Sequence, residues 1–321
     1  MHIIKGAAVA AIVGLASGAV AAKTLGIGTS NPGSITHSIG STIAKILTEK
    51  AGLQSRVQPH GGNSARVPAV NAGEVDFGPA NIFEVQFALS GTGIYKGQVM
   101  KDLRIVSILM PLRTAFFVKK DSPIKSLKDL KGRNVPGVFT SQKVVGIITR
   151  GILANAGLTY KDVNMVPVNN VVRGADDFVR GKTDMFFFAV GSGKILQTSA
   201  KVGGVRALGL DPSPEAMARL NKVFPVGYAL QIKPVKQNHG IVEPTFVNAF
   251  DLVFLTNSKL PEETVYKVVK TLHGGKKAMF ASFKPLGALF SPKRMVKKVP
   301  GGEYHPGAVR FYKEQGMWPP K

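Results

Sequence analysis

Small polar residues gather at four turns of this sequence, and hydroxyl and amide groups of that kind bind an anion without needing a full countercharge. The turns are Thr29-Ser30-Asn31-Pro32-Gly33-Ser34, His60-Gly61-Gly62-Asn63-Ser64, Phe139-Thr140-Ser141-Gln142 and Ala189-Val190-Gly191-Ser192-Gly193. Each follows a strand-like run and precedes a helical one, where the free N–H groups of a helix N-terminus are exposed. Ser, Thr and Asn are also ordinary N-caps, so no single turn defines a site. Four turns, two in each half of the chain, point to one cleft between two lobes. The ligand-binding candidates are Ser30, Asn31, Ser34, His37, Gly62, Asn63, Ser64, Asn81, Thr140, Ser141 and Ser192. Arg113 and Arg173 are candidate charge partners, because a guanidinium forks onto a carboxylate in two parallel bonds. Phe188 or Phe139 would cover the ligand, and Phe83 and Tyr95 could supply apolar walls.

Catalytic arrangements find little support. There is no Gly-x-Ser-x-Gly elbow, no Gly-Lys-Ser/Thr phosphate loop and no His-Glu-x-x-His helix. Gly26-x-Gly28 lacks a third glycine at Asn31 and an acid at the expected distance, which argues against a dinucleotide. His239 and Glu243 stand at helix-turn spacing in a Gly- and Pro-flanked loop without a third ligand. Asp176 and Asp177 are neighbours on a helix and diverge. The expectation is a binding protein and not an enzyme, with no metal and no cofactor.

The elements that must position these turns alternate between strand and helix, as in an α/β protein with largely parallel sheets. Thr24–Gly28 reads as a strand and Ser34–Ala51 as a helix with Ile35, Ile39, Ile43, Ile46 and Leu47 on one face. A strand around Arg56–Gln58, a helix from Ser64 to about Asn71, a strand Val75–Gly78 and a helix after Pro79 follow. The order returns as a strand Arg133–Val138, a helix from Thr140-Ser141 to Ala156, a strand Val163–Val168, a helix Val171–Arg180 and a strand Thr183–Phe188. Ala72-Gly73-Glu74-Val75-Asp76-Phe77-Gly78 and Arg180-Gly181-Lys182-Thr183-Asp184-Met185-Phe186 share one design: a helix, a Gly stop, then an Asp that opens an apolar strand. We read one lobe built twice. The chain would cross outward within Ile105–Phe117, where two apolar runs flank Pro111-Leu112-Arg113, and return within Ala249–Thr256. Lobe I is then 23–112 with 250–321, and lobe II is 113–249.

The chain of 321 residues carries a formal charge of +23 and no cysteine. The missing cysteine excludes disulfides, thiol catalysis, Zn–Cys sites and iron–sulfur clusters. The basic residues are spread at nearly even density without aromatic interleaving or a recognition motif, so nucleic acid is not an expected partner. Residues 1–22 read as a secretory signal peptide cleaved near Ala21/Ala22, with one lysine, an apolar run and a small-residue end. That run is too short and too rich in Gly and Ala for a membrane span. Export to the bacterial periplasm follows, and an N-terminal lipid-anchored cysteine is excluded.

The mature chain resembles the TAXI family of extracytoplasmic solute-binding proteins, which serve TRAP transporters. The resemblance rests on Leu25-Gly26-Ile27-Gly28-Thr29, His60-Gly61-Gly62-Asn63-Ser64, Asn71-Ala72-Gly73-Glu74-Val75-Asp76-Phe77 and Asp121-Ser122-Pro123-Ile124-Lys125-Ser126-Leu127-Lys128-Asp129-Leu130-Lys131-Gly132. Gly181–Phe188 and Leu260-Pro261-Glu262-Glu263-Thr264-Val265-Tyr266 continue it. It implies an α/β, two-lobe type II periplasmic binding protein fold of the Venus-flytrap kind, with a central cleft and two hinge crossings. It further implies a monomer that captures a small organic anion, of carboxylate or amino acid type, for TRAP-type membrane permease subunits. A ligand-presenting sensor, an ABC-importer binding protein and an enzyme on the same scaffold are the alternatives. Two departures bear on the ligand: Thr36-His37 stands where the family carries an aromatic pair, and Gly191-Ser192-Gly193 where it carries Gly-x-Pro. The lost aromatic bulk predicts a larger or differently shaped ligand.

Overall fold

A computed structural model describes residues 23–320, so the leader expected at 1–22 lies outside the described residues. The first lobe opens with β1 (Leu25–Thr29), α1 (Ile35–Ala51), β2 (Ser55–Pro59), α2 (Asn63–Ala72), β3 (Phe77–Asn81) and α3 (Ile82–Ser90). Strand β1 pairs in parallel with β2 and β3. The isoleucine stripe of α1 is buried against this sheet, Ser34 Oγ accepts the His37 N–H at its start, and Gly52 closes it in the left-handed conformation. Helix α3 begins later than Pro79 suggests. Pro79 lies within β3 opposite Phe254, and Asn81 is the N-cap, accepting the Glu84 N–H at 2.8 Å.

Two long antiparallel strands then link the lobes, β4 (Leu103–Lys119) and, much later, β10 (Thr245–Asn257). The two apolar runs around Pro111 are therefore a single strand. The irregularity is absorbed as register shifts between Leu252 and Val253 and between Phe254 and Leu255. On its other edge β10 pairs with β3 from Leu252 to Thr256 and with β9 (Tyr228–Ile232) from Thr245 to Ala249. Strand β4 takes β7 (Phe186–Ala189) from Thr114 and β8 (Val205–Leu208) from Phe116 onward.

The second lobe carries β5 (Asn134–Val138), α4 (Lys143–Asn155), β6 (Asn164–Val168), α5 (Val171–Val179), β7, α6 (Gly193–Lys201), β8, α7 (Pro214–Val223) and β9. Strands β5 and β6 pair in parallel. Helix α4 starts three residues after Thr140 and takes Gln142 as its N-cap. Val138 and Phe139 have positive φ, 65° and 52°, and turn the chain before it can wind. Such backbone costs on the order of 1–3 kcal/mol per residue, and the complete burial of Phe139 holds it in place.

After β10, α8 (Glu262–Gly274) and the helix Pro306–Glu314 return to the first lobe, where Tyr312 Oη donates to the Val106 carbonyl at 2.8 Å. Among the described residues no helix is long and apolar enough to cross a membrane.

Candidate functional site

The turns after β1, β2 and β3 in the first lobe face α4, α5 and β7 of the second across a cavity of about 80 Å³. The first lobe contributes Ser30, Ser34, Ile35, Thr36, Asn63 and Asn81. The second contributes Gln142, Val145, Ile148, Val171, Phe187, Phe188 and Ala189, and the linking strands add Leu112, Thr114, Phe250 and Leu252. The lobes touch above this space. Ser141 Oγ donates to the Gly61 carbonyl at 3.1 Å, the Lys143 N–H to Ser64 Oγ at 3.3 Å, and the Lys194 N–H to the Gly33 carbonyl at 3.4 Å. Gly62 makes the approach possible: a Cβ there would stand 2.0 Å from the Ser141 carbonyl oxygen.

Behind the first-lobe wall lies a charge with no solvent exposure. Arg66 enters on α2 with 0% of its surface exposed, and its stem lies along β1, where a Cβ on Gly28 would stand 2.9 Å from Arg66 Cγ. Gly28 thus makes room for this side chain. One terminal nitrogen donates to Ser30 Oγ at 2.9 Å, and the other donates to Asn63 Oδ1 and the Pro79 carbonyl. Burial pulls the guanidinium pKa down to about 10, opposed by the charge of Glu84, so Arg66 is a cation at neutral pH. Glu84 is likewise fully buried. Its carboxylate accepts Tyr95 Oη at 2.8 Å and Asn81 Nδ2 at 3.2 Å. Burial pushes the Glu84 carboxyl up, opposed by hydrogen bonds from Tyr95 and Asn63, by the Arg66 charge and by the Asn81 amide.

This network decides what the wall can offer. The side-chain oxygens of Asn63 and Asn81 are taken by Arg66 and by the Glu84 N–H, and Ser30 Oγ already accepts from Arg66. Amide N–H and hydroxyl O–H groups remain as donors, while each of these oxygens keeps a second lone pair. Among the described residues no acid, lysine, arginine or histidine lines the cavity itself.

Of the candidates named from sequence, Ser30, Ser34, Asn63, Asn81 and Phe188 line the cavity. Gly62, Ser64 and Ser141 lie at the contact between lobes. The others do not line the cavity. Arg113 alternates on β4 with the cavity-lining Leu112 and Thr114, faces the opposite side and donates to Asn238 Oδ1 at 3.1 Å. Arg173 is exposed on α5, so neither arginine stands at the cavity as a charge partner. His37 engages Thr29 Oγ1 through Nδ1 at 3.1 Å, and the Asn31 carbonyl accepts the Ser34 N–H. Exposed Thr140 donates to Asn169 Oδ1, and Ser192 Oγ turns back onto the Ala189 carbonyl at 2.6 Å. Phe139 is core, Phe83 packs on Phe87 and Phe224, and Tyr95 serves Glu84 instead of forming an apolar wall.

Sequence reasoning missed Arg66 and Glu84. Both carry a legible signal: Arg66 shares the inward stripe of α2 with Val67 and Val70, and Glu84 sits among Ile82, Phe83, Val85 and Ala88 in the apolar α3.

The model of the NMT1-like family matches residues 27–316. The chain belongs to the NMT1-like family. This NMT1-like chain is similar to the structure of a periplasmic transporter, with 18% identity, 94% of this chain and 96% of that one covered, and a TM-score of 0.60. It is also similar to a protein from Bordetella bronchiseptica RB50, with 14% identity, 91% and 98% covered, and a TM-score of 0.55. A third likeness, with 11% identity, 85% and 99% covered and a TM-score of 0.53, is to a structure concerned with glutathione import via GshT and the cystine ABC importer TcyBC of Streptococcus mutans. The NMT1-like chain thus has the two-lobe α/β architecture of type II periplasmic binding proteins, with β4 and β10 as its two crossings.

Proposed function

We propose that this chain is a periplasmic solute receptor that captures a small organic anion by closure of its two lobes, and that it is not an enzyme. The observation that carries the reading is the donor-biased wall of Ser30, Asn63 and Asn81 backed by the buried Arg66. A carboxylate accepts from such donors, and the cation behind them stabilises its charge without contact. The lobes are taken as 23–112 with 250–321 and as 113–249, which meet where β4 and β10 change neighbours. The leader supports export, with the ligand favouring the closed state that a membrane transporter recognises.

The family motifs support TRAP-type permease subunits as partner. A second reading, an ABC-type importer, is favoured by the Streptococcus mutans likeness, whose subject is import through such a system. Uptake into vesicles holding candidate membrane subunits separates the two, since one needs an ion gradient and the other ATP.

The receptor reading is tested by calorimetric titration and a thermal-shift screen of organic acids against purified protein. A ligand at a hundred times its Kd stabilises by about 2.7 kcal/mol. Stabilisation by carboxylates with no turnover is the expected result. Consumption of the ligand, or stabilisation by neutral compounds alone, overturns it.

A further inference from the structure

Away from the cleft, one stretch of the chain carries positive charge without any negative charge among it. From Thr264 to Gly302 there are nine Lys and Arg residues and no Asp or Glu. The stretch holds most of α8 and the helix that follows, α9 (Lys276–Ser282), and both pack beside α1. Lys50 of α1, Lys267 and Lys270 of α8 and Lys277 of α9 line one groove there, and no carboxylate is part of its lining. All four lysines are exposed. We propose that this face docks on an anionic phospholipid surface and so holds the receptor beside the membrane.

Neighbouring carboxylates leave most of this charge unanswered. Glu263 stands 4.0 Å from Lys267 but is engaged by Arg310 at 2.7 Å, and Glu49 stands 3.9 Å from Lys45. Among the described residues Lys50, Lys270 and Lys277 form no ion pair. Folding does not account for the arrangement either. Lys276 and Lys277 are the first two residues of α9, where the helix dipole disfavours a cation, and like charges lining one groove repel each other. A plane of lipid phosphates relieves both effects, because it presents negative charge to the whole face without requiring a fixed pattern of partners.

Phe280 favours a lipid surface over an acidic protein. Its surface is 44% exposed, and it follows Lys277 and Lys276 by three and four residues, which puts all three on one side of α9. Lys284 is exposed just beyond. An aromatic ring flanked by lysines suits the headgroup level of a membrane, where the ring enters the acyl boundary and the ammonium groups meet phosphate.

Co-sedimentation of the purified protein with vesicles tests this, using phosphatidylcholine alone and equal parts phosphatidylcholine and phosphatidylglycerol. Binding to the mixed vesicles only, weakening as salt is added, is the expected result. Joint replacement Lys50→Gln, Lys270→Gln and Lys277→Gln should weaken it about a hundredfold, at about fivefold per lysine. Joint replacement Lys125→Gln, Lys128→Gln and Lys131→Gln removes the same charge from exposed positions of the second lobe and should weaken it by less than about threefold. Phe280→Ser should weaken binding several-fold at low and high salt alike. No binding to the mixed vesicles, equal binding to phosphatidylcholine alone, or equal loss in the two triple variants overturns the proposal. Binding undiminished by Phe280→Ser also overturns it, by assigning the face to charge alone, as for an acidic protein.

Discussion

In the first lobe Asp76 closes the unit by accepting the Gly26 N–H at 2.7 Å, and in the second Asp184 does the same for the Asn134 N–H at 2.7 Å. Each aspartate follows a left-handed glycine that stops a helix, Gly73 with φ 81° and Gly181 with φ 76°. Each lobe also carries an asparagine three residues before an arginine where its second helix begins, Asn63 with Arg66 and Asn170 with Arg173. Asn63 is the first helical residue of α2, whereas Asn170 is the cap that precedes α5. A one-residue shift in helix entry rotates the arginine by about 100°. Arg66 is thereby driven under the cleft, and Arg173 is left in solvent. The same half-unit yields a hydrogen-bonding wall on one side and an apolar wall on the other.

The contrast is most directly broken at Arg66. Arg66→Met leaves Glu84 uncompensated and should cost about 3–5 kcal/mol in urea unfolding. Carboxylate binding should fall below detection in the same protein by calorimetry. Arg173→Met should change neither, and equal effects at both sites would erase the distinction between the lobes. In the apolar wall, Phe188→Ala should cost about 3 kcal/mol of stability. It should shift preference toward bulkier carboxylates without relaxing the requirement for a charge, which a titration series of increasing chain size reads directly.

Closure is broken more selectively by Gly62→Ala. Its φ of 177° suits any residue, so folding is retained, but the new Cβ meets the Ser141 carbonyl across the cleft. Scattering should show the lobes apart, and affinity should fall by about tenfold or more, equivalent to ~1.4 kcal/mol.

Glu84 gives a smaller, pH-dependent effect. Its carboxyl is raised from an ordinary value of 4.5, so between that value and the folded-state value the folded protein holds more protons than the unfolded chain. Stability contributed by the protonated group is therefore full below the ordinary value and is lost as pH rises through the folded-state value. Urea midpoints of Glu84→Gln should lack this decline, whereas a parallel fall in both proteins would assign it to other groups.

Much of this organisation was legible in the sequence because it is periodic. The isoleucines of α1 and the matched Gly-stop and Asp segments fix the strand–helix order, and small polar turns mark the cleft. Boundaries failed where one side chain or one φ value decides: Asn81 delays α3 beyond Pro79, and Val138 and Phe139 delay α4 beyond Ser141. The charge partner failed for a different reason. Among 42 Lys and Arg residues, Arg113 and Arg173 stand out by position near turns, yet strand alternation sends one away and helix phase exposes the other. Arg66 is marked only by its place on an otherwise buried stripe, and its partner Glu84 comes from a different helix, so their association exists only in three dimensions.

Because Arg66 is sealed from water, dissolved ions cannot reach it, whereas they reach the exposed lysines that contribute to the chain's formal net charge of +23. Counterions screen exposed charges over about 10 Å at moderate ionic strength and buried ones much less. Capture and retention of an anion should therefore respond differently to salt. Stopped-flow measurements should show association slowing steeply as salt is added, because the long-range field is damped. The dissociation rate, set by the wall that Arg66 supports, should stay nearly constant.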